Sequence, residues 1–339
     1  MFAGPNGAGK TNLLEAVSLL VPGRGLRGAR FAELIRQNGA GGWALAARFD
    51  NGLEIGTGAV EAAPERREFR LNGMKPRAQS EVAEQLAAIW LTPQMDRLFT
   101  DTASGRRKFL DRLVVALEPS HAREIAAYES ASAQRNRLLA EAPYDPAWAA
   151  ALEDSMARHA VAATAARAAL IARLNATLNA GAADPFPRVA LGLACEIARR
   201  LRDAPAVDVE DWLRGALAAS RAVDAMVKSS GYGPQKTDLL ITDEAAARPA
   251  SLSSTGQQKA MLIGIVLGHA AMITAARGAA PLLLLDEPLV HLDAQRRAAL
   301  FTALDKADFP AWLTGTDMEM FEGLDAARYV VRDAEILAV

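Results

Sequence analysis

The hydrophobic pattern changes period several times along the chain. Near the start, Leu13, Leu14, Val17 and Leu20 recur at helical spacing and predict a helix over 12–20. From Trp43 the pattern alternates through Leu45, Ala47 and Phe49, and Leu53 and Ile55 follow Asn51-Gly52. Phe69 and Leu71 precede a second such turn, Asn72-Gly73. Asn-Gly between alternating runs predicts tight hairpins, so 42–76 reads as an antiparallel β-lobe. Residues 89–92 form a short apolar run that ends at Pro93-Gln94.

A helical period returns at Ser104 with Leu110, Leu113, Val114 and Leu117, then Ile125, Tyr128, Leu138 and Leu139. Asp145-Pro146 reads as N-cap and first helical residue. The helix it opens carries Trp148, Leu152, Met156, Leu170, Leu174 and Leu178, and Gly181 ends it. Two long alanine-rich helices joined near Pro143 predict an antiparallel arm. Val189, Leu191, Leu193, Cys195 and Ile197 alternate as in a strand, with Cys195 on the buried face. Asp208 is expected to cap a helix bearing Trp212, Leu213 and Leu217, and Gly231-Tyr232-Gly233-Pro234 to form a loop. An apolar helix over 261–273, a buried strand over 281–285 and a last strand over 311–314 complete the chain.

Its 339 residues suffice for about two domains. The hydrophobic share is 51% and the net charge −2, so nothing global advertises nucleic acid and such a site must be a local patch. One cysteine and four histidines exclude a disulfide framework, argue against structural zinc and suit a reducing cytosol. No window approaches the ~18 uncharged apolar residues of a membrane span, so no membrane role is expected.

The chemistry concentrates at four places. Gly4-Pro5-Asn6-Gly7-Ala8-Gly9-Lys10-Thr11 satisfies the phosphate-binding P-loop pattern, and Asn12 opens its helix. Its backbone N–H groups and the helix N-terminus suit an anion, Lys10 suits the β- and γ-phosphates, and the Thr11 hydroxyl suits Mg²⁺. Only Met1-Phe2-Ala3 precede this loop, so they are expected to be the end of the strand a P-loop follows. Pro281-Leu282-Leu283-Leu284-Leu285-Asp286-Glu287 has the Walker B form. Asp286 suits Mg²⁺, and Glu287 suits orientation or deprotonation of a water. Ser253-Ser254-Thr255-Gly256-Gln257-Gln258-Lys259 puts small hydroxyls and a glycine at a helix N-terminus, a second anion site or an ordinary cap. Gln94, after a strand edge, is a candidate for Mg²⁺ or water, or a plain loop residue. Arg24, Arg27 and Arg30 lie among glycines and read equally as phosphate contacts or solvated charges. Arg106, Arg107, Lys108 and Arg112 cluster at the start of the arm, and the first three read equally as DNA-phosphate contacts or as partners of acids on the neighbouring lobe.

Together the P-loop, the serine-rich signature, Walker B and Asp293 on the following turn resemble the ABC-type ATPases. Within that class the chain resembles the RecF family. Gly4 to Asn12 with Leu14-Glu15-Ala16 carry the likeness, as do Gly105-Arg106-Arg107-Lys108-Phe109-Leu110-Asp111, Arg135-Asn136-Arg137-Leu138-Leu139 and Gly233-Pro234-Gln235-Lys236-Thr237-Asp238-Leu239.

The resemblance implies an α/β fold, an ABC-type P-loop head of mixed sheet, helices and β-lobe with an inserted helical arm. The head would comprise 1–103 and 221–339, the arm 104–220. It implies ATP and Mg²⁺ as cofactors and a nucleotide sandwiched between two copies. Ser254, Gly256, Gln257 and Asp293 would then meet the partner's nucleotide. It further implies ATP-dependent DNA binding at gaps or junctions and help in RecA loading with RecO and RecR. Two expectations depart from the family pattern. The two strands ahead of the P-loop are missing, and Thr316-Asp317 stand where the switch histidine of ABC ATPases would be, which suits slow hydrolysis. A transporter ATPase subunit and a nucleotide-switch module that does not bind DNA are the alternatives.

Overall fold

The computed structural model describes residues 1–36, 39, 41–141, 143–307, 309–332 and 335–339. The chain forms two compact units. The first gathers Met1–Asp96, Gly181–Pro187 and Ser254–Val339, and the second Arg97–Ala180 and Arg188–Ser253.

The first unit is built on a six-stranded sheet in the order Glu335–Ala338, Tyr329–Arg332, Phe2–Ala3, Ala311–Gly315, Leu282–Leu285, Ala88–Leu91. All neighbours are parallel except the first pair. Phe2–Ala3 is only two residues long, yet it lies inside the sheet. Its place is held by aromatic stacking, because the Phe2 ring meets Trp312 at 5.0 Å and Tyr329 at 5.1 Å. The two C-terminal strands have no counterpart among the strands expected from the sequence. Glu335–Ala338 is exposed along its whole length, so no burial pattern marks it.

The expected β-lobe is present as Gly42–Arg48, Glu54–Val60 and Glu68–Leu71, all antiparallel; Asn51-Gly52 joins the first two strands, and Asn72-Gly73 turns the chain after the third, where Leu71 bridges Met74. Arg67 is buried here without a carboxylate partner among the described residues. It donates to the carbonyls of Leu19, Val21 and Gly23 past the end of the P-loop helix, and to Thr57 Oγ1 at 2.7 Å. Its guanidinium stacks 4.1 Å from the Phe69 ring centroid, and burial lowers its pKa to about 10. Through these bonds it fastens the β-lobe to the P-loop helix.

The helix Thr255–Arg277 corrects the expectation about membrane spans. It is long and apolar enough to cross a bilayer, with a mean hydropathy of 1.6 in its best window. However, 78% of that window is buried within the protein, as in the central helix of a packed core.

The second unit opens with Ala103–Leu117, His121–Ala140 and Pro146–Asn179. The expected single first helix is two helices, because Pro119 excludes Glu118 from helical dihedrals. Asp145 caps the long third helix as expected, accepting from Ala147 N at 2.8 Å. Val189–Ala194 pairs antiparallel with Asp238–Asp243, which pairs with Arg248–Pro249. This pairing keeps 221–253 in the second unit, which ends at Ser253. The strand stops at Ala194. Cys195 caps the helix Glu196–Asp203 and is half-buried, which corrects its expected place on a buried strand face. Asp208 lies in the first turn of Ala206–Ala219 behind Pro205, not at its cap.

Candidate nucleotide site

The P-loop runs from the strand Phe2–Ala3 into the helix Lys10–Ser18. Gly9 caps that helix with φ 103°, a left-handed conformation that side chains resist. Lys10 is 5% exposed, and its Nζ donates to Gly4 O at 2.7 Å and Pro5 O at 3.0 Å. The ammonium therefore lies folded across the loop. Pro5, Asn6 and Gly7 are exposed, while Gly4 and Ala8 are buried.

Walker B meets this loop directly. Thr11 Oγ1 donates to the Asp286 carboxylate, 3.2 Å from Oδ1 and 3.0 Å from Oδ2. Asp286 is 3% exposed, and its Oδ1 accepts from Thr314 Oγ1 at 2.7 Å. Thr314 Oγ1 in turn accepts from Glu287 N at 2.9 Å. Thr314, at the end of the neighbouring strand, thus orients the Asp286 carboxylate and anchors the Glu287 backbone. The sequence reading noted that strand but assigned Thr314 no role; a hydroxyl ending the strand beside Walker B was the available signal. Glu287 has φ 49° and His291 φ 67°, two left-handed non-glycine residues in one turn. Strain of this kind collects at functional sites.

A hydroxyl and a buried carboxylate are hard oxygen donors, the set that suits Mg²⁺ together with phosphate oxygens and water. No cluster of three or more His, Cys, Asp or Glu is found among the described residues. Thr11 and Asp286 therefore fit the ion as a shared site and not as an all-protein cage.

Three further elements carry the remaining candidate residues. Gln94 is exposed and follows the strand Ala88–Leu91, which pairs with Walker B from Ala88–Leu282 to Leu91–Leu285. Two residues on, Asp96 accepts from the buried Lys259 Nζ at 2.7 Å, so the signature helix is tied to the segment that carries Gln94. Ser254 and Gln257 form a capping box, in which Ser254 N donates to Gln257 Oε1 at 3.0 Å and Gln257 N donates to Ser254 Oγ at 3.4 Å. A Cβ on Gly256 would stand 3.2 Å from Arg296 Nη1 and 3.3 Å from His291 O, so the glycine allows the signature turn to pack on the turn after Walker B. Asp293 on that turn is exposed and accepts from Arg296 N at 2.8 Å.

The arginine-glycine loop is pinned to the P-loop helix. Arg27 N donates to Glu15 Oε2 at 2.8 Å, Leu26 N to Ser18 Oγ at 2.7 Å, and Arg27 Nη1 to Asn12 Oδ1 at 2.8 Å. Burial pushes the Glu15 carboxyl up. Arg24, Arg27 and Arg30 remain exposed. The arm cluster behaves differently. Arg106 donates to both Asp238 oxygens at 2.7 Å, and Arg107 Nη1 to Thr237 O at 2.8 Å. These two are internal clamps, and of the two readings left open Arg106 takes the pairing with an acid. Lys108 is exposed. Thr316 and Asp317, where a switch histidine was sought, are exposed after the strand Ala311–Gly315.

No protein-family model matches the chain. Curated proteins do. A DNA replication and repair protein RecF of Mesorhizobium japonicum is 46% identical over 329 residues, spanning 96% of this chain and 87% of that protein. RecF of Rhizobium rhizogenes is 43% identical over 330 residues (96% and 88%), and RecF of Brucella suis 41% identical over 329 residues (96% and 85%). Among solved structures, the recombination mediator protein RecF-ATPrS in the RecFOR pathway superposes with a TM-score of 0.84 at 20% identity, over all of this chain and 91% of that one. An Smc head domain from Pyrococcus furiosus superposes at 0.50 and 14% identity. These superpositions establish the ABC-type ATPase fold.

Proposed function

The chain belongs to the RecF family of DNA replication and repair proteins, and on that footing we propose that it is an ATP-switched DNA-binding dimer. In this reading it binds ATP with Mg²⁺, closes as a homodimer on DNA at single-strand gaps or junctions, and hydrolyses ATP slowly. It then works in the cytoplasm with RecO and RecR to help load RecA. The observation that carries the reading is the bonded assembly of Thr11, Asp286, Thr314 and the Glu287 backbone beside Lys10.

Each residue has a derivable task. The P-loop amides and the N-terminus of the helix Lys10–Ser18 receive the phosphates, and Lys10 leaves its carbonyl partners to meet them. Thr11 and Asp286 hold Mg²⁺, which when bound neutralises phosphate oxygens. Glu287 accepts a proton from the attacking water or orients it, with its backbone held by Thr314. Ser254, Gly256 and Gln257 offer a second helix N-terminus to the partner copy's nucleotide, and Asp293 stands at the same junction. Gln94 faces the metal or the water. The exposed Arg24, Arg27 and Arg30, on a loop pinned to the P-loop helix by the bonds of Leu26 and Arg27 to Ser18, Glu15 and Asn12, are the cations offered to DNA phosphate.

Near-full-length identity to RecF proteins favours this reading over a transporter subunit. The DNA-free switch is separated from it by experiment. Titration of a gapped duplex should give tight binding with ATP and weak binding without it, with affinity falling steeply as salt rises. Lys10→Ala should bind DNA weakly in both conditions. DNA affinity indifferent to ATP would overturn the switch.

A further inference from the structure

The two-turn helix Arg221–Val227 is inverted relative to an ordinary surface helix. Its charges face inward and its apolar side chains outward. Asp224 is 2% exposed, and its Oδ2 accepts from Arg135 Nη1 at 2.8 Å and Ser220 Oγ at 2.7 Å. Its Oδ1 accepts from Gly231 N at 3.0 Å. Arg221 donates to Glu153 through Nε at 2.9 Å and Nη2 at 2.5 Å, and Glu153 also receives Arg135 Nε at 2.9 Å. On the outer side Val223, Met226 and Val227 are 56%, 76% and 61% exposed. Ala218, Ala219 and Ala222 are exposed too. Positions 218, 219, 222, 223, 226 and 227 share the spacing of one helical face. That face runs through Ser220, whose φ of −88° and ψ of −2° stay close to helical.

The inversion is enforced. Rolling the helix to bury Met226 would carry Asp224 into solvent and leave Arg135, which is 0% exposed, without that carboxylate. Buried charge thus holds an apolar face in water. We propose that residues 218–227 form a docking face for one amphipathic helix of another protein. The size of the face argues for that occupant. Ten residues of helix span about 15 Å, two to three turns of a partner helix. A stable dimer buries about 800 Å² from roughly 20–30 residues a side, far more than six side chains supply. Alanine and valine make a flat floor for larger leucine or phenylalanine knobs, and Met226 adapts to them. Between Ala216 and Ser229 the charges are Arg221, Asp224 and Lys228, and only Lys228 stands outside the buried network. The matching helix is therefore apolar on one face and acidic beside it.

The test is fluorescence anisotropy of a labelled peptide about four turns long, with leucine at i, i+3, i+4 and i+7 and glutamate on its other face. Saturable binding to the full chain is expected. It should weaken at least about tenfold for Val223→Glu combined with Met226→Glu, and also when lysine replaces the peptide's glutamates, each about 1.4 kcal/mol per tenfold. ATP binding and circular dichroism of the double variant should match wild type, since both substitutions are at exposed positions. Absence of saturable binding, or equal affinity for the double variant, overturns the proposal. Nucleotide-free self-association that the double variant abolishes also overturns it, by making a second copy the occupant.

Discussion

The nucleotide site of the first unit and the helical core of the second hold their buried charges in opposite ways. In the first, Lys10 and Asp286 bond to carbonyls and hydroxyls, and their own charges stay uncancelled by those partners. In the second, buried arginines meet carboxylates directly. Arg135 is held by Glu153 and Asp224, and Arg167 by Asp111 through two bonds of 2.8 and 2.9 Å. The contrast separates two uses of charge. A buried ion left to neutral dipoles is available to a charged ligand, whereas a buried ion cancelled inside the fold is spent on architecture. Arg167 illustrates the second use. Besides Asp111 it donates to Pro234 O at 2.7 Å and Thr237 Oγ1 at 3.1 Å, and so fixes the segment around Pro234.

The sharpest way to break the comparison is to remove one charge of each kind. Glu287→Gln should slow ATP turnover roughly 10²–10⁴-fold while leaving ATP affinity and the melting curve near wild type. A single-turnover rate close to wild type would remove Glu287 from the role of base. Arg135→Ala should do the reverse. It leaves the buried Asp224 without its cation and Glu153 with Arg221 alone, and should cost about 3–5 kcal/mol of stability in urea unfolding, with nucleotide affinity retained at low temperature. A loss below about 1 kcal/mol would show that the network is not structural.

The smallest effect is a pH dependence. Burial alone would raise the Asp111 carboxyl, but bonds from His121 and Arg167 outweigh it and hold its pKa below the ordinary 3.8. A carboxylate depressed in the folded state contributes stability above its unfolded pKa and loses it as pH falls through the folded value. Wild type should therefore lose more stability than Asp111→Asn as the pH falls below about 4. Parallel stability curves for the two proteins across that window would show that Asp111 contributes no such linkage.

The same contrast explains what could be read from the residues. Lys10, Thr11, Asp286 and Glu287 announce themselves because a phosphate site needs fixed residue types at short spacing. The β-lobe was legible from two Asn-Gly turns and the long third helix from Asp145-Pro146. Arg135 was visible only as part of a familial string. Its partners lie 18 and 89 positions away, and no local pattern predicts pairs so distant. Arg106 and Arg107 stayed ambiguous for the same reason. A basic cluster reads as a phosphate patch until Asp238, 132 positions from Arg106, is seen to neutralise it. Thr314 lies 28 positions from Asp286 and lacks a motif of its own. The inverted helix Arg221–Val227 was hidden because apolar residues at helical spacing ordinarily mean a buried face.

The proposed sandwich has this site completed by a second copy through Ser254. Sedimentation velocity with Mg²⁺ and a saturating non-hydrolysable ATP analogue tests it most directly. Wild type should sediment as a dimer with analogue and as a monomer without it. Ser254→Arg should bind the analogue yet remain monomeric, because the added side chain would stand where the proposed second copy approaches. A wild-type chain that stays monomeric with analogue bound, or a Ser254→Arg chain that dimerises as well as wild type, would contradict it.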